Sequence, residues 1–199
     1  MIIFVIEMRN LFLTLLSGLL LAFSWPDIGI FPLIFFAFVP LFILEDDIYR
    51  SNKAKGWRVF CLSFLAFFIF NIITTYWIYN ATIFGALAAF TINSALMASV
   101  MYLYHKLRHQ SNNKIGHIAF IFLWIGMEYL HLNWELSWPW LTLGNSFANN
   151  SILVQWYEYT GFLGGTFWIL AINLLIFRFI NNKEYVKNSL LLMFFIILP

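Results

Sequence analysis

Long apolar runs separated by short polar stretches divide this chain into segments of membrane-spanning length. A spanning helix needs about 20 apolar residues, or about 17 at the short end. The first run covers residues 11–25 and the second residues 28–44, with Pro32 near its first turn and Pro40 inside it. A proline in mid-helix frees a carbonyl and bends the axis, which neighbouring helices can tolerate. A polar loop over 45–55 leads to a third helix at 57–79 and a fourth at 83–104. Residues 105–114 form another polar loop, followed by a fifth helix at 115–132. Residues 133–159 are too polar and too rich in turn formers to span, and a sixth helix follows at 162–180. The last run, 189–199, is too short to cross a bilayer and reads as a seventh helix cut short. No internal repeat is visible. The expectation is a single all-α membrane domain over 1–199, a polytopic helix bundle of six full transmembrane helices and a truncated seventh.

Charge orients this bundle. All eleven basic residues fall at the N-terminus or in alternate connections. Arg9 lies at the N-terminus; Arg50, Lys53, Lys55 and Arg58 fill the first long connection. Lys106, Arg108 and Lys114 fill the second, and Arg178, Lys183 and Lys187 the third. The loops around Pro26, Asn80 and Pro139 hold no lysine or arginine. Basic loops stay in the cytoplasm, so the N-terminus is expected inside and residues 133–159 outside. The first helix is expected to remain uncleaved, because Ser24-Trp25-Pro26-Asp27 rather than a small-residue site follows it. Glu7 interrupts an apolar start, and Met8-Arg9-Asn10 makes a more natural beginning, so Met8 is expected as the translation start.

Composition supports the membrane reading. Hydrophobic residues make up 62% of the chain and charged residues 10%, where soluble domains carry roughly 25% charged. The basic residues sit beside apolar segments, which makes them topology signals and lipid-headgroup contacts rather than a nucleic-acid footprint. The single cysteine, Cys61, excludes an internal disulfide and any cysteine-cluster metal site. It lacks a nearby base or cation in sequence and reads as a small buried residue.

Glu128 is the most suggestive single residue. It falls inside the fifth helix, where a carboxylate costs about 2.5–3.5 kcal/mol even on mild scales, so a partner or a function should accompany it. His131 lies on the same helix face, three residues on. Glu-x-x-His is half of a di-iron motif, but the second pair and the further glutamates are missing, and no metal or other cofactor is expected. A structural Glu–His or Glu–Trp contact near the outer interface competes with a lipid-site role. Asn71, Asn93 and Asn173, within helices three, four and six, are expected to bond between helices. Gly161-Phe162-Leu163-Gly164-Gly165 would allow close helix packing.

The outer stretch is the densest signal. It carries Trp134, Trp138, Trp140 and Trp156, and tryptophan favours the interface, where its ring is half apolar and its N–H is wet. An aromatic belt explains any one of them. Their concentration around Ser137-Trp138-Pro139-Trp140-Leu141-Thr142-Leu143-Gly144-Asn145 points instead to a lipid or acyl-chain site. Glu158, within Gln155-Trp156-Tyr157-Glu158-Tyr159, adds a carboxylate. The candidate lipid-binding residues are Trp138, Pro139, Trp140, Glu128 and Glu158.

Trp138-Pro139-Trp140-Leu141 with Gly144-Asn145, followed by the segment from Tyr157 to Trp168, resembles apolipoprotein N-acyltransferase. Phe23-Ser24-Trp25-Pro26, Phe31-Pro32-Leu33 and Phe38-Val39-Pro40-Leu41 look like that family's first two helices, and Asn71 to Trp77 like its third. The resemblance covers nearly the whole chain but only the membrane part of the family's fold. It implies a bacterial inner-membrane enzyme that moves an acyl chain from a phospholipid donor to the N-terminal cysteine amine of a diacylglyceryl lipoprotein acceptor. It also implies an outer nitrilase-like domain, whose glutamate, lysine and cysteine act through a thioester. This sequence ends before that domain, which is expected to be missing or a separate chain. Cys61 lies on the wrong side to be the nucleophile, so no catalytic residue is carried over. Trp138, Pro139 and Trp140 match the family loop facing the acyl-donor cavity. The alternative from another class is a small polytopic transporter or lipid-binding membrane protein. Transporters usually place ionisable residues near the midplane, whereas the candidates here cluster at the outer interface.

Overall fold

The computed structural model describes residues 2–51, 56–111 and 113–181. The expected seventh segment at 189–199, and Lys53, Lys55, Lys183 and Lys187, lie outside the described residues. Among the described residues the protein is all-helical: α1 (Ile2–Ser24), α2 (Val39–Arg50), α3 (Gly56–Thr75), α4 (Ile83–Gln110), α5 (Asn113–Leu132) and α6 (Tyr157–Asn181), with short 3-10 segments between them. Five of the described helices are long and apolar enough to cross a membrane: those built on α1, α3, α4, α5 and α6. The helices α1, α3, α4 and α5 pack in sequence, each against the next, and α6 closes against α5, α2 and the 3-10 segments. An aromatic core fills the interior, with Phe38, Phe42, Phe67, Phe120 and Trp124 fully buried and in mutual edge or tilted contact.

The expected second helix at 28–44 is not continuous. A 3-10 turn over Phe31–Phe35 precedes α2, and the chain between them is a turn. Pro40 explains the break, since a proline has no N–H to donate and its ring crowds the carbonyl four residues earlier. Asn173 of α6 occupies the gap. Its Oδ1 accepts from the Phe38 N–H at 2.9 Å, and its Nδ2 donates to the Ile34 carbonyl at 2.8 Å. Those two backbone groups, four residues apart, would bond to each other in an unbroken helix. One side-chain amide thus replaces the missing rung. Ser17 of α1 serves another carbonyl of the break, donating to Ala37 O at 2.5 Å. One of the six expected full spans is therefore not among the described helices long enough to cross; the interrupted segment runs from Pro26, which accepts from Asn149 Nδ2, to Asp47, which pairs with Arg9.

Asn71 and Asn93 make the expected inter-helix contact: Asn93 Nδ2 donates to Asn71 Oδ1 at 2.8 Å, joining α4 to α3. Cys61, expected to be buried, is exposed on α3; a thiol behaves as a small apolar group, so an outward position on an apolar helix is open to it. Glu7 is paired with Arg58 at 2.6 Å, which supplies a partner for the acidic residue near the chain start.

The expected loop at 105–114 is largely helix. At 28 residues α4 is about 42 Å long, against a hydrocarbon core of about 30 Å, which is long enough for its last turns to extend past the apolar layer. There Arg108 is not a solvated topology signal. It is buried, lies 4.1 Å from the centre of the Tyr49 ring, and pairs with both Glu45 and Asp46 of α2. His105 Nδ1 meets Glu45 Oε1 at 2.8 Å, while Arg50 and Asn181 take the other Asp46 oxygen at 2.6 and 2.7 Å. Burial alone would raise the Asp46 carboxyl, but hydrogen bonds from Arg108 and Asn181 and the charges of Arg108 and Arg50 outweigh it and hold the group below the usual carboxylate range. This clasp fastens α2, α4 and α6 at the basic end of the bundle.

The Asn173→Leu substitution is expected to lower stability by about 1–3 kcal/mol for each backbone group left without a partner. Thermal unfolding in detergent measures it, and an unchanged midpoint would show that the broken segment does not need the amide.

Candidate functional site

The stretch 133–159 folds back into the bundle rather than lying across its end. Two 3-10 segments, Pro139–Leu141 and Leu143–Val154, carry it, and Leu141, Leu143, Gly144, Ser146 and Phe147 are buried. Pro139 begins the first segment, where its fixed φ suits a helical start and its missing N–H costs nothing. The Pro139 carbonyl accepts from Thr142 Oγ1 at 3.1 Å and from Asn145 Nδ2 at 2.9 Å, which closes the turn.

Glu128 fastens this turn to the bundle. It is buried in α5 and takes part in no ion pair among the described residues. Its Oε1 accepts from Trp124 Nε1 and from the Leu143 N–H, both at 2.9 Å. Its Oε2 accepts from Thr166 Oγ1 of α6 at 2.7 Å. The Thr166 hydroxyl in turn accepts from the Gly144 N–H at 3.2 Å, and the Gly144 carbonyl accepts from Tyr157 OH at 3.0 Å. One carboxylate therefore joins α5, the aromatic stretch and α6. Three donors thus meet its two oxygens, so the polar group does not go unsatisfied in the apolar interior.

Glycines permit the close packing around this hub. A Cβ on Gly144 would collide with the Phe162 carbonyl, and one on Gly165 with the Tyr157 hydroxyl. Gly161 has φ +65°, so the turn Tyr157–Thr160 is offset from the rest of α6; the expected helix start at 162 corresponds to this break.

The aromatic residues frame a cavity at the end of the bundle away from the arginine clasp. Trp77 stacks on Trp138 with centroids 6.4 Å apart and meets Trp140 edge-on at 5.9 Å. A cavity of about 420 Å³ lies among Trp25, Asp27, Thr75, Trp77, Trp140 and Asn145. Trp138 is half-buried and lines a second, apolar cavity of about 360 Å³ beside Asn93 and His131. Trp140 is exposed, and its ring is open to a ligand.

The structure places Trp138, Pro139 and Trp140 in one turn, and Glu128 accepts from the Leu143 N–H three residues after Trp140. Glu158 stands apart, exposed in the first turn of α6, where a carboxylate suits the helix dipole. Of the two contacts foreseen for Glu128, the one with tryptophan forms; His131 does not reach the carboxylate, and neither of its ring nitrogens has a hydrogen-bond partner. Sequence reading missed Thr166 and Tyr157 as partners of the turn, and Trp77 as the third ring of the cluster. The cost of burying Glu128 was the available signal, since it required donors from elsewhere in the chain.

Residues 17–175 match the family model described as the apolipoprotein N-acyltransferase N-terminal domain. The chain is 30% identical over 179 residues to an apolipoprotein N-acyltransferase of Chlorobaculum tepidum, covering 88% of this chain and 33% of that protein. It is 30% identical over 187 residues to the apolipoprotein N-acyltransferase of Geobacter metallireducens, covering 89% and 34%. The chain therefore spans about a third of the length of these curated relatives. No solved structure matches it.

Replacing Glu128 by leucine is expected to destabilise the fold by about 1–3 kcal/mol for each buried donor left unpaired. Glu128→Gln, which keeps one carbonyl oxygen for Trp124 and Leu143 and offers an amide to the Thr166 hydroxyl, should cost much less. Thermal unfolding of both variants in detergent checks this; equal losses would mean that charge, rather than hydrogen-bond geometry, holds the turn.

Proposed function

The chain belongs to the apolipoprotein N-acyltransferase family, as its N-terminal membrane domain, and on that premise we propose that it holds the phospholipid acyl donor for lipoprotein N-acylation. The acyl chain passes from phospholipid to the N-terminal cysteine amine of a diacylglyceryl lipoprotein. The bond-making chemistry belongs to the part of the full-length protein beyond this third, a nitrilase-like domain on the outer face. The protein resides in the bacterial inner membrane with its basic end in the cytoplasm, in keeping with the lysine and arginine distribution.

The observation that carries this reading is the Trp138-Pro139-Trp140 turn, fixed by Glu128 and set beside a cavity at the end away from the basic clasp. Trp140 and Trp77 supply rigid walls for an acyl chain, since aromatic rings bury large area at small entropic cost. Trp138 buttresses Trp77, and Pro139 sets the turn. Glu128 is a positioning residue, acting through the Leu143 and Gly144 backbone. Glu158, exposed at the start of α6, is available to a lipid headgroup or to the acceptor.

A chimera in which this chain replaces the matching third of the Chlorobaculum tepidum relative tests the proposal. The readout is the mass of the N-terminal peptide of a substrate lipoprotein, with or without a third acyl chain. Trp138→Ala combined with Trp140→Ala should slow N-acylation about tenfold or more while the chimera remains monodisperse in detergent. An unchanged rate would remove the turn from donor binding.

A further inference from the structure

A groove of about 620 Å³ runs between α4 and α5, and it shares no lining residue with the cavity beside Trp140. Leu96, Val100 and Leu103 form one wall; Phe122, Gly126 and Leu130 form the other. At 1.5 Å per residue these walls are about 10–12 Å long, so the groove takes a stretch of extended alkyl chain. Leu103, Phe122 and Leu130 are exposed at its rim, so it opens sideways, toward the bilayer rather than toward water. A Cβ added at Gly126 would meet no atom within 4 Å, so this wall faces open space.

His131 stands at one end of the groove, one residue before α5 ends, and also borders the cavity beside Trp138. It is 8% exposed, and neither Nδ1 nor Nε2 has a hydrogen-bond partner. An imidazole always carries at least one N–H, and leaving it unsatisfied in an apolar wall costs about 1–3 kcal/mol. The Nε1 of Trp138, across the adjoining cavity, is likewise buried and unpartnered. Both groups supply donors. Trp134, 5.2 Å from the His131 ring centre, marks this level as the membrane interface, where the ester groups of glycerolipids lie.

We infer that the α4–α5 groove is a seat for one acyl chain of a glycerolipid, with the ester carbonyl accepting a hydrogen bond from His131. An ester carbonyl only accepts, so it complements a donor at the end of an apolar slot. The seat does not depend on the acyl-transfer reading: it holds lipid whether or not this domain serves that reaction.

Photolabelling of the whole chain in phospholipid nanodiscs tests the seat. One probe is phosphatidylethanolamine with a diazirine midway along one acyl chain; the other is a free fatty acid with the same diazirine. The phospholipid probe should label peptides covering 96–103 and 122–130 above other lipid-facing segments. Gly126→Leu, whose Cβ meets no atom within 4 Å and whose side chain occupies groove space, should lower that labelling about fivefold and leave labelling of α1 and α3 unchanged. His131→Ala should lower it similarly, and His131→Gln, which keeps a donor, should retain most of it. Undiminished labelling in Gly126→Leu would reduce the groove to ordinary lipid contact and overturn the proposal. Equal labelling by the fatty acid probe would overturn the glycerolipid as the occupant, and undiminished labelling in His131→Ala would overturn the ester contact. Neither result bears on the chimera's acyl-transfer rate, so the two readings fail separately.

Discussion

A carboxylate buried among apolar helices must be met by donors, and the way Glu128 is met organises the upper half of this protein. Its two oxygens draw in an indole N–H from its own helix, a backbone N–H from the aromatic stretch and a hydroxyl from α6. None of these donors is charged. The result is a junction of three elements at one side chain, from which the position of Trp138 and Trp140 follows. The polar group is therefore less a reactive centre than a fastening. It lets a segment too polar to span enter the bundle with its backbone groups paired.

The same constraint operates twice more. At the broken second segment, Pro40 prevents a continuous helix and Asn173 inserts its amide between Ile34 and Phe38, supplying both the donor and the acceptor that the break exposes. At the basic end, Arg108 is paired with two carboxylates and covered by Tyr49. Breaking a buried pair by removing one partner typically costs about 3–5 kcal/mol, so this clasp holds α2 and α4 in a fixed relation. The three fastenings together tie α2, α4, α5 and α6 to a neighbour by polar contacts; α3 is tied to α4 through Asn71 and Asn93, and α1 to α2 and α3 through Arg9–Asp47 and Glu7–Arg58.

Much of this was legible in the sequence, and the misses have a common cause. Apolar run length located α1, α3, α4, α5 and α6, because in a bilayer an unbroken helix is what such a run can form. The cost of burying Glu128 signalled that it had partners, and Trp124, four residues away on the same helix, was within reach of that reasoning. Leu143 and Thr166 were not, since sequence distance says nothing of which helix lies alongside. Arg108 was read as a loop charge for the same reason: its partners, Glu45 and Asp46, sit more than sixty positions earlier. Pro40 announced a distortion, but only the packing of α6 revealed that the segment breaks and that Asn173 completes it.

The central claim is that Glu128 holds the aromatic turn inside the bundle, and amide hydrogen exchange of the intact chain in nanodiscs tests it most directly. The Leu143 and Gly144 amides should be strongly protected in the unaltered protein. In Glu128→Leu they should exchange far faster, while amides of the α3–α4 core around Asn71 and Asn93 keep their protection. Equal protection of Leu143 and Gly144 in both proteins would mean that apolar packing alone seats the turn, and the account of Glu128 as its fastening would be wrong.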